Sequence, residues 1–278
     1  MSKEWKVAVI GGDKRSEYMV RFLQESGYVV MSCVMIPSEP EEVRKIVKWA
    51  DVLVGPTPFS RDGVELYHEK GGSIFLEDFA KWMREGQILF GGNISPSIHQ
   101  EAEQKRVQYH DFMAMDEVAR DNAVATAEGA IAEAITVSDI NLDQSNCLVL
   151  GFGRCGKAIY ERLTAFGAKC SIGLRNAAQK ELPAGAATIS LEELPAHMEK
   201  FDYIFNTIPA KVLTRECVSK MKKDCIIIDI ASKPGGTDFE ACRERGIYAS
   251  LSLGIPGRYA PKTSAQILVN AMNRRMEA

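Results

Sequence analysis

The sequence predicts an α/β protein made of two Rossmann-like parallel-sheet domains joined by a long helix. Three observations predict this class. Short apolar runs alternate with segments of helical periodicity in both halves, a Gly-x-Gly-x-x-Gly turn begins at Gly151, and an alanine-rich helical pattern lies between Met115 and Ser138. We expect a first domain over residues 1–120, a connecting helix over 121–144, a second domain over 145–261 and a C-terminal helix over 262–278 that is able to pack back on the first domain.

The composition is that of a globular protein without a strong charge bias. Its 278 residues are 46% hydrophobic and 26% charged, and 34 basic residues nearly balance 37 acidic ones. This balance argues against nucleic-acid partners and against attraction to a charged membrane surface. The seven cysteines are scattered without a Cys-x-x-Cys pair, and no apolar run approaches the length of a membrane span. We expect a cytoplasmic protein with reduced cysteines, no bound metal and no membrane partner.

The first domain opens with a strand, a glycine turn and a helix. Trp5–Ile10 is the predicted strand and Ser16–Glu25 the predicted helix. Counted from Gly11, the second and third glycine positions of the dinucleotide fingerprint hold Asp13 and Ser16. Asp13 would also place negative charge where phosphates bind. This unit is therefore predicted not to bind a dinucleotide.

The rest of the first domain continues the alternation of strands and helices. Turns at Gly55–Pro58 and Gly91–Asn93 follow two of its strands, where open α/β sheets bind ligands. The predicted strands are Asp51–Gly55, Gly72–Leu76 and Gln87–Phe90, and the predicted helices are Asp78–Arg84 and Pro96–Lys105.

The second domain shows the same alternation after a connecting helix whose small residues allow close packing. Ser190–Glu193 and Thr237–Glu240 have the pattern of capping boxes, which begin helices. A polar loop, Ser252–Thr263, precedes a final helix that ends near Arg275. The predicted strands are Asp202–Asn206, Cys225–Ile230 and Ile247–Leu251.

The glycine turn carries the clearest chemical signal. Cys147–Leu150 is a short apolar strand, Gly151, Gly153 and Gly156 form the turn, and a helix and a second strand, Ala168–Leu174, follow. The first glycine permits the tight turn, the second lets a pyrophosphate approach the backbone, and the third lets helix and strand pack closely. The helix N-terminus offers N–H groups to the phosphates. The second domain is thus predicted to be an NAD(P)-binding Rossmann domain.

The end of the second strand predicts which dinucleotide binds. An NAD site expects Asp or Glu about 20 residues after the glycine turn, where it binds the ribose 2′-hydroxyl. Here Arg175 and Asn176 follow the strand, with Lys180 nearby. A guanidinium binds a 2′-phosphate by charge-assisted hydrogen bonds, whereas a carboxylate repels it. We therefore predict NADP as the cofactor; the alternative is an Arg175 that is merely solvated.

Loops after three later strands are expected to meet at the nicotinamide, because the carboxyl ends of parallel strands share one edge. These loops are Asn206–Pro209, Ala231–Gly236 and Gly254–Thr263, and their basic residues suit a carboxylated substrate. None of the four histidines lies in them, and no Gly-x-Ser-x-Gly motif is present. This argues against dehydrogenation with a histidine base and against a hydrolase, and favours hydride transfer.

The residues predicted to bind the cofactor come from the turn, the end of the second strand and the next two loops. Cys155, inside the turn, is expected to serve packing and not to act as a nucleophile. The full set is Gly151, Phe152, Gly153, Arg154, Cys155, Gly156, Arg175, Asn176, Asn206, Thr207, Ile208, Pro209, Ile230 and Ala231.

Five strings carry a resemblance to a known family. They are NTIPA at Asn206–Ala210, DIASKPGGTDF at Asp229–Phe239, GIPGRYAPKTSAQIL at Gly254–Leu268, VAVIGGDKR at Val7–Arg15 and TAEGAI at Thr126–Ile131. Together they resemble the A subunit of dipicolinate synthase over nearly the whole chain. The resemblance implies an NADP-dependent enzyme that works with a flavoprotein-like B subunit. The implied reaction makes dipicolinate, the calcium-chelating acid of bacterial spores, from the 4-hydroxy-tetrahydrodipicolinate of lysine biosynthesis, in the cytoplasm of the mother cell.

The resemblance also implies a site for a small dicarboxylate. Loss of water and removal of a hydride and a proton aromatise the ring, so the site mainly orients the ring and holds two carboxylates. We expect Ser232, Lys233 and Lys262 to be catalytic, with Lys262 the first choice for a carboxylate contact or a proton transfer. The residues expected to bind the substrate are Arg15, Thr57, Ser232, Arg258, Lys262 and Thr263.

Two other functions stay open at this point. One is a different NADP-linked two-domain dehydrogenase or reductase. The other is a nucleotide-binding partner whose B subunit carries the chemistry, which turnover by the isolated chain would exclude. A homodimer is also compatible with the sequence.

Overall fold

The computed structural model describes residues 4–34, 39–71, 74–176 and 181–277. The chain forms two compact units: unit 1 comprises the chain up to Asp121 and from Ala260 on, and unit 2 comprises Asn122–Tyr259. Each unit has its own sheet, in which neighbouring strands run parallel. The predicted class, two Rossmann-like parallel-sheet domains, is confirmed. None of the described helices has the length and apolar character needed to cross a membrane.

Unit 1 contains a five-stranded sheet in the order β2-β1-β3-β4-β5. Most residues of its three central strands are buried, as expected where both faces of a parallel sheet are covered. The strands are β1 (Lys6–Ile10), β2 (Val29–Cys33), β3 (Val52–Val54), β4 (Ile88–Gly91) and β5 (Gln108–Asp111), and the helices between them are α1 (Lys14–Glu25), α2 (Pro40–Trp49), α3 (Leu76–Trp82) and α4 (Pro96–Gln104).

Unit 2 contains a six-stranded sheet in the order β11-β10-β9-β6-β7-β8. The order reverses between β6 and β9, which makes their carboxyl ends the switch point where such sheets bind nucleotides. The strands are β6 (Asn146–Leu150), β7 (Lys169–Leu174), β8 (Ala187–Ser190), β9 (Tyr203–Asn206), β10 (Ile226–Asp229) and β11 (Tyr248–Leu251), and the helices are α5 (Asp116–Thr136), α6 (Arg154–Ala165), α7 (Arg215–Lys220), α8 (Phe239–Arg245) and α9 (Ile255–Tyr259).

The long helix α5 contains the boundary between the units and lies within the stretch of alanine-rich helical pattern. In unit 2 its alanines Ala123, Ala127, Ala130 and Ala134 are buried. They belong to the same apolar cluster as residues of β6, β9 and β10. Small side chains thus let this helix lie close to the sheet.

The last helix, α10 (Pro261–Met276), belongs to unit 1. Its buried Leu268 and Met272 share an apolar cluster with Met19 and Leu23 of α1. At its C-terminal end Arg275 and Glu117 form an ion pair with 2.7 Å between Nη2 and Oε1. The core of unit 1 is therefore built from both ends of the chain.

Three strands, β2, β5 and β8, were not indicated by the sequence pattern. Each lies at the edge of its sheet, and most of its residues are exposed or half-buried. Edge strands with few buried residues lack the continuous apolar run that marks the central strands.

The strand predicted over Gly72–Leu76 is wrong in its described part. Residues 72 and 73 lie outside the described residues, and Leu76 begins α3. Glu77 and Asp78 place two carboxylates in the first turn of this helix. Negative charge there is stabilised by the helix dipole, which favours a helix start at this point.

The helix predicted to begin at Ser190–Glu193 is also wrong. Ser190 is the last residue of β8 and pairs with Leu174 of β7, so its backbone stays extended. The chain then forms two short 3₁₀-helices, Leu194–Ala196 and Met198–Lys200. Sheet pairing with a distant strand overrides the local capping pattern here.

The packing of α10 predicts that shortening one of its buried side chains measurably lowers the stability of the protein. Leu268 is 2% exposed, and Leu268→Ala should lower the free energy of unfolding by about 2–5 kcal/mol because it leaves a cavity. Gln266→Ala, at an exposed position of the same helix, should change it by less than about 0.5 kcal/mol. Urea unfolding followed by circular dichroism measures both variants. Equal effects would contradict the packing described for α10.

Candidate functional site

The glycine turn of unit 2 has the geometry of a dinucleotide cradle. Gly151 follows β6 with φ +86°, a conformation that side chains disfavour. A Cβ on Gly156 would lie 2.2 Å from the Gly151 carbonyl oxygen, so only glycine allows α6 to approach the strand this closely. A Cβ on Gly153 would meet nothing within 4 Å, and no side chain caps α6 at this residue. The turn thus leaves open backbone at the helix N-terminus, where a pyrophosphate binds.

Three further residues of the turn have different surroundings. Phe152 is buried and packs edge-to-face on Tyr160, with 5.7 Å between ring centroids. Arg154 is exposed at the start of α6. Burial raises the pKa of the Cys155 thiol, so it stays protonated and packs against α5 residues, as expected of a structural cysteine.

Arg175 and Asn176 directly follow β7 and are exposed. No hydrogen bond or ion pair of Arg175 occurs within the described part of the chain, so its guanidinium is available to a ligand. Lys180, which the sequence analysis places nearby, lies outside the described residues.

Asn206, at the carboxyl end of β9, shapes the loop that follows it. The Asn206 side chain is fully buried, accepts a hydrogen bond from the Ile208 N–H and donates one to the Ile208 carbonyl, both at 3.1 Å. Thr207 donates its N–H and its hydroxyl to the Leu150 carbonyl at 3.0 and 2.8 Å. The loop up to Pro209 is thereby tied to the end of β6, directly beside the glycine turn.

Asp229, at the carboxyl end of β10, shapes the next loop in the same way. Its carboxylate is fully buried and accepts hydrogen bonds from the Ala231 N–H, the Gly236 N–H and the Thr237 hydroxyl at 3.0, 2.8 and 2.7 Å. Thr237 is therefore not a helix cap as predicted. Asp238 caps α8 instead, where its side chain accepts a hydrogen bond from the backbone. Asp229 was not among the predicted site residues, although an acidic residue ending an isoleucine run is a visible signal.

The loops after β9 and β10 lie against each other. A Cβ on Gly236 would lie 2.5 Å from the carbonyl oxygens of Ile208 and Ala210. The Ile230 N–H also donates to the Asn206 carbonyl at 2.9 Å. The structure thus brings together two of the three loops that were expected to meet.

Ser232 and Lys233 project from the loop after β10. Both residues are exposed, and the Gly235 N–H donates to the Ser232 carbonyl at 2.9 Å to close the turn beneath them. Within the described part of the chain, the Ser232 hydroxyl and the Lys233 ammonium have no side-chain partner. They are the groups of this loop that a ligand in solution can reach.

Arg258 does not stand free, in contrast to its predicted role as a carboxylate ligand. Its Nη2 lies 2.6 Å from Oε1 of Glu133 on α5. Ser252 donates its hydroxyl to the other oxygen of Glu133. The side chain of Glu133 is only 12% exposed, while that of Arg258 is 51% exposed. Arg258 therefore has an ion-pair partner within unit 2, and about half of its side chain remains exposed to solvent.

The predicted loop Gly254–Thr263 is replaced by two helices. Ile255–Tyr259 forms α9, and Pro261, whose fixed φ suits a first helical position, begins α10. Lys262 and Thr263 are exposed in the first turn of α10 and belong to unit 1, whereas Arg258 belongs to unit 2. The expectation of one loop carrying all three residues is therefore wrong.

In unit 1 the structure brings the predicted Arg15 and Thr57 together. Asp13 caps α1 and accepts hydrogen bonds from the Arg15 N–H at 3.0 Å and from its Nε and Nη2 at 2.9 and 2.7 Å. Nη2 also donates to the Thr57 carbonyl. Asp13 thus places a carboxylate at the N-terminus of α1, and the absence of a dinucleotide from this turn stays a prediction.

A second arginine, Arg61, lies in this region and was not predicted. Its Nη2 donates to the Tyr67 hydroxyl at 2.7 Å, and its guanidinium lies 3.9 Å from the centre of the Tyr67 ring. The Gly12 N–H donates to the Tyr67 carbonyl at 2.7 Å, so Tyr67 is placed beside the first glycine turn. A polar loop following a buried strand was the available signal, but nothing in its sequence distinguished Arg61 from a solvated residue.

No metal centre accompanies these sites in the described residues. Within residues 4–34, 39–71, 74–176 and 181–277, no three His, Cys, Asp or Glu side chains are grouped closely enough to hold a metal ion.

Two family models match the chain. The N-terminal domain of the dipicolinate synthase A subunit matches residues 6–113, and the NAD-binding domain of D-isomer specific 2-hydroxyacid dehydrogenases matches residues 99–233. The second match covers the glycine turn, the loop after β9 and the loop after β10 as far as Lys233. It supports a nicotinamide cofactor in unit 2 without distinguishing NAD from NADP.

Solved structures show the same likeness along the whole chain. The crystal structure of the dipicolinate synthase A subunit from Bacillus halodurans is 27% identical, with a TM-score of 0.86 and coverage of 100% of this chain and 99% of that one. Its counterpart from Bacillus subtilis is 28% identical, with a TM-score of 0.83 and coverage of 100% and 97%. D-lactate dehydrogenase from Escherichia coli, 13% identical with a TM-score of 0.66 and coverage of 98% and 97%, shares the fold alone.

The sequence of the dipicolinate synthase A subunit from Bacillus subtilis (strain 168) is 30% identical to this chain over 290 aligned positions. The alignment covers 97% of this chain and 95% of that protein. Sequence identity at this level over nearly the whole alignment, together with the match of the N-terminal domain, indicates common family membership and not only a common fold. The chain therefore belongs to the family of dipicolinate synthase A subunits.

Proposed function

We propose that this protein is an NADP-dependent oxidoreductase that converts 4-hydroxy-tetrahydrodipicolinate into dipicolinate, pyridine-2,6-dicarboxylate. The observation that carries the proposal is a glycine turn shaped for a dinucleotide in a chain of the dipicolinate synthase A family. The B subunit of the synthase, flavoprotein-like by the family resemblance, is the partner this assignment implies. The proposed setting is the cytoplasm of the mother cell of a spore-forming bacterium.

The conversion requires loss of one water and one two-electron oxidation. Departure of the 4-hydroxyl as water gives a dihydropyridine dicarboxylate, and removal of one hydride and one proton then gives the aromatic ring. NADP, when bound, supplies the nicotinamide that accepts the hydride. Because aromatisation favours the oxidation, the main tasks of the protein are to orient the ring and to hold its carboxylates.

Ser232 and Lys233 are proposed to hold one carboxylate of the substrate. Both are exposed on a loop whose two sides are fixed by the Asp229 carboxylate. A loop ordered before binding loses little conformational entropy on binding, so its donors hold a ligand more effectively than those of a mobile loop. The hydroxyl can donate one hydrogen bond and the ammonium can supply the charge.

Arg175 is proposed to select NADP. It stands directly after β7, exposed, where the ribose of a bound dinucleotide comes closest to the second strand. Its guanidinium has no partner among the described residues and can donate two parallel hydrogen bonds to a 2′-phosphate.

The proposal is tested by turnover of the isolated chain. Purified protein is mixed with 4-hydroxy-tetrahydrodipicolinate and NADP, and dipicolinate absorbance and NADPH formation are followed together. We expect both to rise in equal amounts. Turnover that appears only after the B subunit is added would instead favour a nucleotide-binding partner role. NADPH formation without dipicolinate would favour a different dehydrogenase.

Arg175→Asp should change the choice of cofactor. Loss of a charge-assisted hydrogen bond and the new repulsion should raise the KM for NADP by about 10- to 100-fold and change the KM for NAD by less than about threefold. Lys223→Asp, at an exposed position of unit 2, is the control of equal charge change and should leave both values unaltered. An equal rise for NADP and NAD would remove Arg175 from the 2′-phosphate site.

Lys262→Met should lower turnover without affecting NADP binding. The loss of one charged hydrogen bond to the substrate or of a proton donor corresponds to about 10- to 100-fold in kcat/KM. NADP binding, measured by titration calorimetry, should stay within about twofold because Lys262 is not part of the glycine turn that is proposed to hold the dinucleotide. An unchanged turnover rate would remove Lys262 from the site.

A further inference from the structure

Around the Arg61–Tyr67 pair of unit 1 lies a cluster of side chains with hydrogen-bond donors that have no acceptor in the described part of the chain. The cluster consists of Arg15, Thr57, Arg61 and Tyr67. Backbone hydrogen bonds hold it at the carboxyl ends of β1, β3 and β4: Gly12 donates to Tyr67, Tyr67 donates to Phe59, and Phe59 donates to Gly92, at 2.7, 2.9 and 2.6 Å. This is the edge at which an open parallel sheet binds its ligand.

Arg15 contributes a preset guanidinium with one free edge. Its side chain is only 9% exposed, and its Nε and Nη2 donate to Asp13 and to the Thr57 carbonyl. A guanidinium carries five N–H donors, and the two on Nη1 have no acceptor among the described residues. Because Asp13 fixes the plane of the group, these donors point in one direction before any ligand arrives.

Tyr67 contributes a hydroxyl that can donate. Its oxygen already accepts a hydrogen bond from Arg61, so its own proton is left for a further acceptor. Burial raises the pKa of the Tyr67 hydroxyl, which therefore stays protonated at neutral pH. Tyr67 is 8% exposed, and its ring lies under the Arg61 guanidinium in a cation–π contact.

Thr57 adds a second neutral donor. Its side chain lies over the backbone of Gly92, and its hydroxyl has no partner within the described part of the chain. Its backbone carbonyl accepts from Arg15, which ties the two residues together.

The charges of the cluster suit one carboxylate. Among the groups that the hydrogen bonds of the cluster connect, two guanidinium groups stand against one carboxylate, that of Asp13, which leaves one net positive charge. Burial and the nearby Lys70 lower the pKa of His68, so this neighbour of Tyr67 is neutral and adds no charge. The exposed Glu69 acts on Tyr67 less strongly than Arg61 does. Asp13 caps the N-terminus of α1, so the helix end is not available to a phosphate.

We propose that Arg15, Thr57, Arg61 and Tyr67 form a carboxylate-binding site in unit 1 that acts independently of the nucleotide-binding turn, with Arg61 and Tyr67 as specificity-determining residues. The identification of the carboxylate as one of those on a pyridine-2,6-dicarboxylate ring rests on the proposed function. The site itself rests on the geometry of unit 1.

Direct binding to the full-length chain tests the site without any turnover. Titration calorimetry with pyridine-2,6-dicarboxylate, in the absence of nucleotide, is carried out on the natural protein and on Arg61→Met and Tyr67→Phe. We expect each variant to raise the Kd by about 10-fold or more, the effect of one lost hydrogen bond to a charged group. Arg61→Lys should recover part of the affinity, because it restores the charge but not the planar fork.

Two controls show whether the effect is local. Arg106→Met removes an exposed unit 1 cation whose partner is Glu85 and should leave the Kd unchanged. NADPH binding to Arg61→Met and Tyr67→Phe should stay within about twofold of the natural protein, because neither residue belongs to the unit that contains the glycine turn. Unchanged thermal unfolding midpoints would show that both variants fold.

Each outcome separates this inference from the proposed function. Suppose that the natural chain makes dipicolinate, and that Arg61→Met and Tyr67→Phe have the Kd for pyridine-2,6-dicarboxylate and the substrate KM of the natural chain. The unit 1 site is then overturned and the proposed function stands. If no dipicolinate is made but the two variants weaken binding of the dicarboxylate, the site stands and the proposed function fails. The unit 1 site is also overturned if Lys233→Met abolishes binding of the dicarboxylate while Arg61→Met and Tyr67→Phe do not weaken it. Absence of dicarboxylate binding by the natural chain overturns the site as well.

Discussion

One buried carboxylate, that of Asp229, determines the shape of the loop on which the proposed chemistry of unit 2 depends. A carboxylate removed from water is costly unless hydrogen bonds replace its hydration, and Asp229 receives three, two from backbone N–H groups and one from a hydroxyl. Asn206, its neighbour in the sheet, likewise fixes the loop after β9 by two hydrogen bonds between its side chain and the backbone of Ile208. The end of strand β10 therefore sets the positions of Ser232 and Lys233. The solvent-exposed side chains of these two residues do not help to fix the loop.

The fold could be predicted wherever burial leaves a periodic trace in the sequence. The central strands β1, β6 and β10 are continuous apolar runs, and α5 repeats alanine at helical spacing. The edge strands β2, β5 and β8 leave no such trace, since only one neighbouring strand and part of one face constrain their residues. Ser190 shows a second limit. Its capping pattern is local, whereas the pairing of Ser190 with Leu174 that decides its conformation involves a strand elsewhere in the chain.

The candidate site was predictable where backbone geometry demands a residue type. Gly151 and Gly156 are required by a left-handed turn and by a contact that excludes a Cβ, and both can be recognised from spacing alone. Charged residues are different, because their availability depends on partners that spacing does not reveal. Arg258 looks free in the sequence but is paired with Glu133 on α5. Arg61 looks solvated but is held on the Tyr67 ring. Pairing decides whether an arginine can serve a ligand, and only the folded chain shows it.

The position of α10 has a consequence for the order in which the protein is made. The 16 residues of this helix complete a core whose other members lie in the first part of the chain. A ribosome releases every residue of unit 2 before it releases α10. The sequence of unit 2 is therefore the first to be complete. The apolar face of α1 that α10 covers stays without this helix until the whole of unit 2 has been synthesised.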